Sequence, residues 1–306
     1  MRQRGKITSA IVAFITLLAL SGCAQSQSSN IEISSASAVT VSSGEKLNGK
    51  RIVALANGSA EIISALGFKE NLIGRDIAST DADLSSVPIV TSGHLVVAEK
   101  IISLNPDLVL IDKASGPASA LDTLRNSGIS LVKIPDAWKL SDIPAKVTSI
   151  AGAIAAPKAG EKLNLKLSQL SAAAKTSGKK AGIVFLYLRG GSAIYLIGGK
   201  ESGADSLISA IGAVDLGAAK LANPFNAMSA ELMASLNPDV ILVMSKGLQS
   251  VGGISGLVEL PGIAQTSAGK SGRVIAVDDS LLLSFGPRTP DLLKRLRAAV
   301  DKVVTS

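Results

Sequence analysis

The sequence predicts an α/β protein of two lobes with parallel-rich sheets, joined by a long helix. Three observations carry this. Short runs of Val, Leu and Ile, such as Leu108–Ile111 and Val240–Val243, alternate with amphipathic stretches. Continuous apolar runs are what parallel strands covered on both faces require. The pattern is also duplicated. Ala98-Glu99 precedes Ser103-Leu104-Asn105-Pro106-Asp107, and Ala230-Glu231 precedes Ser235-Leu236-Asn237-Pro238-Asp239, 132 positions later. Finally, the roughly 260 residues that follow the Ser-rich start of the chain exceed what one compact core usually organises.

Each copy of the repeat reads as a helix, a Pro-Asp turn and a buried strand. Proline cannot continue the helix, and the residue before it is pushed toward extended geometry. The other elements follow the same alternation. Arg51–Ala56 reads as a strand, and Ser59 as the cap of a helix to Leu66 that Gly67 ends. Pro88–Val90 reads as a short strand, Leu121–Asn126 as a helix stopped near Gly128, and Ser130–Ile134 as a strand. Two helical stretches follow, Asp142–Ile154 and Lys158–Lys175. Val147, Ile150, Ala151 and Ile154 form one apolar stripe, and Leu163, Leu167 and Leu170 the next. Ala181–Leu188 opens a second α/β series that closes with a helix from Pro290 to Val303. The expected organisation is a lobe over 47–140, linking helices over 141–178 and a second lobe over 179–306.

The first residues read as an export signal. Arg2, Arg4 and Lys6 form a positive head, and Ile7–Leu20 is largely apolar but too short to cross a hydrocarbon core of ~30 Å. Leu20-Ser21-Gly22-Cys23 resembles the lipobox of bacterial lipoproteins. That resemblance implies a signal peptide over 1–22, a diacylglycerol on Cys23, and a lipid-anchored protein on the extracytoplasmic face of the cell membrane. Residues 23–46 are rich in Ser, Ala and Thr and read as a flexible tether. Cys23 is the single cysteine, so disulfides and cysteine metal clusters are excluded. The formal charge is +7, and +4 without Arg2, Arg4 and Lys6. That mild excess does not point to nucleic acid.

Enzymatic readings fare badly. A single histidine, His94, would have to serve any catalytic triad, and Ser92-Gly93-His94 is not a nucleophile elbow. Gly198-Gly199-Lys200 lacks the spacing of a phosphate-binding loop. A zinc site would need more His or carboxylate ligands. His94 follows a short strand and Ser92-Gly93, a place where ligands bind in open α/β sheets. A neutral imidazole there is a good iron ligand. Tyr187 and Arg189, two apart on an extended segment, share one face. A cation at about 4 Å supplies much of the ~4 kcal/mol needed to ionise a tyrosine at neutral pH. Tyr195 is the one other tyrosine in the chain.

The strand, Ser-capped helix and Leu-Asn-Pro-Asp pattern, repeated around a central helix, resembles the helical-backbone class of binding proteins of ABC importers. That class has two Rossmann-like lobes with a ligand cleft between them, and it carries haem, cobalamin and ferric siderophores. Thr91-Ser92-Gly93-His94, Tyr187-Leu188-Arg189 and Ser284-Phe285-Gly286-Pro287-Arg288-Thr289-Pro290 together resemble the haem-binding lipoproteins of Gram-positive uptake systems, the HmuT type. The resemblance implies a monomer carrying haem b to an ABC permease and its ATPase. His94 and Tyr187 would be the axial iron ligands, Arg189 would support the phenolate, and Met244 would lie near the haem. Tyr195 is a fallback ligand. Glu99 and Glu231, at equivalent places in the repeat, would dock the permease. A ferric siderophore or cobalamin is the alternative cargo. Arg288 could meet a haem propionate or pair within the fold.

Overall fold

The computed structural model describes residues 30–173 and 180–305. The predicted export signal and Cys23 lie outside the described residues. The strands are β1 (Ile31–Ile33), β2 (Ile52–Ala54), β3 (Leu72–Arg75), β4 (Thr91–Ser92), β5 (Leu95–Val96), β6 (Leu108–Ile111) and β7 (Ser130–Lys133). After the linking helices come β8 (Gly182–Arg189), β9 (Ile194–Gly198), β10 (Val214–Asp215), β11 (Phe225–Ala227), β12 (Val240–Met244) and β13 (Val274–Val277).

The first lobe holds an all-parallel sheet in the order β3-β2-β6-β7. The second holds the order β1-β13-β12-β8-β9-β11, with β10 also on β8. Its centre is parallel, and β9 and β11 extend it antiparallel. Alternation along each strand divides the side chains between two layers. Ile52 and Ala54 enter one core while Val53 and Leu55 enter another. In β8, Ile183 and Phe185 face inward while Val184, Leu186 and Leu188 face the outer layer. The inner core is continuous. It runs from Ile52 and Ile62 through Val147 and Leu163 to Phe185 and Leu293. At about 1.5–3 kcal/mol per fully buried aliphatic side chain, such a core fuses the two lobes rather than merely tethering them.

The repeat has a physical purpose. Asn105 and Asn237 both take left-handed backbone, with φ 48° and 39°. The aspartates that follow turn back onto the first strand of each lobe. Asp107 accepts from the Arg51 N–H at 2.8 Å, and Asp239 from the Gly182 N–H at 2.8 Å. Leu-Asn-Pro-Asp is therefore a clip that ends a helix and sets the register of two parallel strands.

The link between lobes is a pair of helices, Ile143–Ala153 and Pro157–Ala173. They touch closely at Gly160, where a Cβ would sit 2.6 Å from that of Ala151.

Three expectations change. The helix Ser59–Ala65 is not capped by Ser59, whose hydroxyl donates to Ala56 O at 2.6 Å; Gly58 occupies the cap with φ 69°. Pro88–Val90 makes a single bridge, Ile89 to Arg75, rather than a strand. The expected tether to residue 46 is ordered from β1 onward. Ile31 and Ile33 pair in register with Ile275 and Val277 of β13. Val39 N–H reaches Pro287 O and Val41 N–H reaches Ala65 O, and the Glu45 carboxylate accepts from the Lys158 and Ala159 N–H groups. The cause is two alternating apolar pairs, Ile31/Ile33 and Val39/Val41, inside a Ser-rich composition. Val39 and Ile33 are buried.

Candidate functional site

Cavities open at the carboxyl ends of β2, β6 and β7, the side where open α/β sheets bind ligands. One, of about 290 Å³, is lined by Asn57, Asp76, Thr91, Gly93, His94 and Asp112, among others. A second, of about 420 Å³, shares Asn57 and Asp112 and extends to Trp138 and Lys146. A third, of about 460 Å³, shares Trp138 and reaches Phe225 of the second lobe. Phe225 in turn packs edge-on against Tyr187, with centroids 5.6 Å apart at 63°. A continuous path of lining residues thus leads from His94 on one lobe to the neighbour of Tyr187 on the other.

His94 sits at the exposed turn between β4 and β5, after Gly93 with φ 56°. Leu95 beside it is 61% exposed, an unusual place for a leucine. The loop behind is held by Asp112. Its carboxylate accepts from the N–H groups of Asn57, Ala114 and Ser115 and from the Ser115 hydroxyl. Asp76 tightens the neighbouring turn through Ser79 and Ala78, and burial raises its pKa.

Tyr187 lies near the end of β8, where Tyr187 pairs with Leu196 of β9. The Arg189 guanidinium carbon stands 4.5 Å from the centroid of its ring. A cation over the ring face is attracted by the negative face of the ring's π system. Arg189 also donates to Leu188 O at 2.9 Å and lies 3.9 Å from Asp279. Tyr195 pairs with Leu188 and packs in the outer layer, on the opposite face from Tyr187, so it is removed as a fallback ligand. Met244 is 3% exposed and packs in the inner core. It ends a strand buried throughout, and it lines none of these cavities.

Arg288 pairs within the fold. It is buried at the junction of the lobes, bonded to Glu61 and to the Ser280 hydroxyl and 3.6 Å from Asp81. Burial pushes Glu61 up to about 7 even with Arg288 beside it. Around this pair, Asn57 Nδ2 donates to Leu283 O at 3.2 Å, and the Thr80 and Ser280 hydroxyls meet at 2.7 Å. Glu99 and Glu231 occupy the exposed first turns of Ala98–Ser103 and Ala230–Leu236. A backbone N–H and the Ser229 hydroxyl hold Glu231 below its usual value. Among the described residues no cluster of three or more His, Cys, Asp or Glu could hold a metal ion.

Sequence reasoning missed Asn57, Asp112, Trp138, Lys146 and Phe225 as lining residues. The signal for three of them was positional: Asn57, Asp112 and Trp138 each follow a predicted strand closely, on its carboxyl side.

Two parallel-rich α/β lobes with cavities at their strand ends define a ligand-binding protein. A family model described as periplasmic binding protein matches residues 52–281, and the chain belongs to that family. It is 29% identical over 264 residues to the uncharacterized ABC transporter substrate-binding lipoprotein YvrC of Bacillus subtilis (strain 168), covering 83% of this chain and 81% of that one. Over 103 residues, 33% of this chain and 37% of the relative, it is 32% identical to the vitamin B12-binding protein of Pectobacterium carotovorum subsp. carotovorum (strain PC1). Among solved structures, the periplasmic heme-binding protein RhuT from Roseiflexus sp. RS-1, in apo form, superimposes with a TM-score of 0.77 at 36% identity, covering 83% of this chain and 99% of that one. The heme binding protein HmuT gives 0.74 at 35% identity, covering 89% and 92%. The resemblance expected from the three sequence segments is borne out at the level of family and fold.

Proposed function

We propose that this chain is the substrate-binding component of an ABC importer and that its cargo is haem, held between His94 and Tyr187. The observation that carries the reading is their placement. The chain's single histidine lines one of a run of cavities, and the arginine-stacked tyrosine of the other lobe packs against Phe225, which lines another. Imidazole and phenolate are both iron ligands in haem proteins. An exposed aromatic side chain on the cavity lining, Trp138, suits a flat, largely apolar macrocycle. Binding and delivery, not catalysis, is the activity proposed. Glu99 and Glu231 are the proposed docking carboxylates for the permease, working as a monomer. Lipidation of Cys23 would hold the protein on the extracytoplasmic face of the membrane.

Cobalamin is the second reading, favoured by the vitamin B12-binding relative. The test uses Trp138, the single tryptophan of the chain, which lines two of the cavities. Its fluorescence in the soluble protein, residues 24–306, should be quenched to saturation by one equivalent of haemin, and far more weakly by cyanocobalamin at the same concentration. Tighter binding of cyanocobalamin would replace the haem reading with the second one.

A further inference from the structure

Lys146 is out of character with its surroundings. It lies on the apolar face of the helix Ile143–Ala153, among Ile143, Val147 and Ile150, and is 2% exposed. A buried ammonium is costly unless its hydrogen-bonding capacity is used. An ammonium has three N–H donors. Among the described residues it has a single hydrogen bond, to Ser284 O at 2.8 Å. Lys146 is among the residues lining the cavity of about 420 Å³, with Asn57 and Trp138. The backbone has made room for it. At Gly58, already at φ 69°, a Cβ would come within 3.1 Å of Lys146 Nζ and 3.0 Å of Ser284 O.

The carboxylates facing Lys146 are Glu61, Asp112 and Asp136. Glu61 is engaged by Arg288, and Asp112 by the N–H groups of its own loop. Asp136 is exposed to solvent. The other cations near the cleft are spent or solvated: Arg288 on Glu61, Arg189 on the Tyr187 ring and Asp279, with Lys113 and Lys139 exposed. Lys146 is therefore the buried cation with spare donors at the floor of the cleft.

We propose that Lys146 takes a carboxylate of the ligand and makes the site selective for a macrocycle with free acid groups; this rests on the haem reading above. Haem carries two propionates, whereas the side chains of cobalamin are amides. A carboxylate arriving here would gain a charge-assisted hydrogen bond from a buried ammonium. It would also hold Lys146 protonated, against the burial that lowers its pKa to about 8.

The experiment compares haemin with haemin dimethyl ester, which keeps the iron and the ring but has no free acid. Both are titrated by Soret absorbance into the wild type and into Lys146→Met, with thermal unfolding followed alongside. The wild type should prefer haemin by roughly tenfold or more, the loss expected for a charge-assisted hydrogen bond. In Lys146→Met that preference should collapse, with the ester bound about as in the wild type. A wild type indifferent to esterification overturns the proposal, whatever the variant does. So does a variant that melts earlier but keeps the preference, since Lys146 would then only tie Ser284 to the linking helix. If neither compound binds the wild type, the haem reading fails and this proposal with it.

Discussion

The two walls proposed for the haem site are built on different scales. Tyr187 stands on β8, an eight-residue strand bonded to β9, β10 and β12 and buried along most of its length. Phe225 and Arg189 pack its ring from two sides. His94 stands at the tip of a hairpin whose strands are two residues each and join neither main sheet. Residues on such turns open locally at little free-energy cost, whereas a central strand opens only with the lobe. One wall is thus pre-organised and the other adaptable. A ligand that orders a loop gives up part of its binding energy in doing so. The rigid side should therefore carry more of the affinity.

That difference requires that the walls share a fixed base, and the largest expected effect tests the base. Arg288→Ala leaves Glu61 buried without its cation. Breaking such a pair costs about 3–5 kcal/mol, and the low end is expected because Glu61 can take up a proton. Denaturant unfolding should read this loss, and Glu61→Gln in the same chain should recover part of it. A loss below about 1 kcal/mol, the range of a surface pair, would show that the base is not held there.

The next largest effect is on the rigid wall. Tyr187→Ala should weaken haemin binding about a hundredfold, close to 2.7 kcal/mol. His94→Ala should cost about tenfold, or 1.4 kcal/mol. Side-by-side titrations decide the ordering. If His94→Ala costs as much as Tyr187→Ala, the hairpin is as well organised as the strand, and the contrast between the walls is lost.

The Glu61–Arg288 pair should also give a pH dependence of stability. Glu61 holds its proton more tightly in the folded protein, about 7 against 4.5. Its contribution is complete below pH 4.5 and is lost as pH rises through about 7. The melting temperature should accordingly fall across that window, and Glu61→Gln should flatten the slope. A slope unchanged by the substitution would assign the dependence to other groups.

Much of this architecture was legible in the sequence because local signals repeat. Asn-Pro-Asp after a helix leaves the chain few options, and Val240–Met244 reads as buried on both faces. The parts that were not legible have their own reasons. The segment from Ile31 to Val41 carries its strand signal in two isolated apolar pairs, masked by serines. The antiparallel strand β11 is three residues long and pairs with β9 across an intervening pair of helices, which no local period reveals. Lys146 was invisible as a site residue because a lysine on a helix is ordinarily solvated. Only the helix's position beneath the cleft makes it matter. His94 and Tyr187 stood out from neighbouring motifs and rarity, but nothing local to Met244 distinguished a ligand-side methionine from a core one.

Electron paramagnetic resonance and visible spectra of the ferric haem complex test the central claim most directly, because they report the atoms bound to iron. One haem held from both lobes should give a spectrum with a tyrosinate charge-transfer band. Tyr187→Ala should abolish that band, and His94→Ala should change the spin-state signature. Identical spectra for the wild type and both variants would contradict a haem held between His94 and Tyr187.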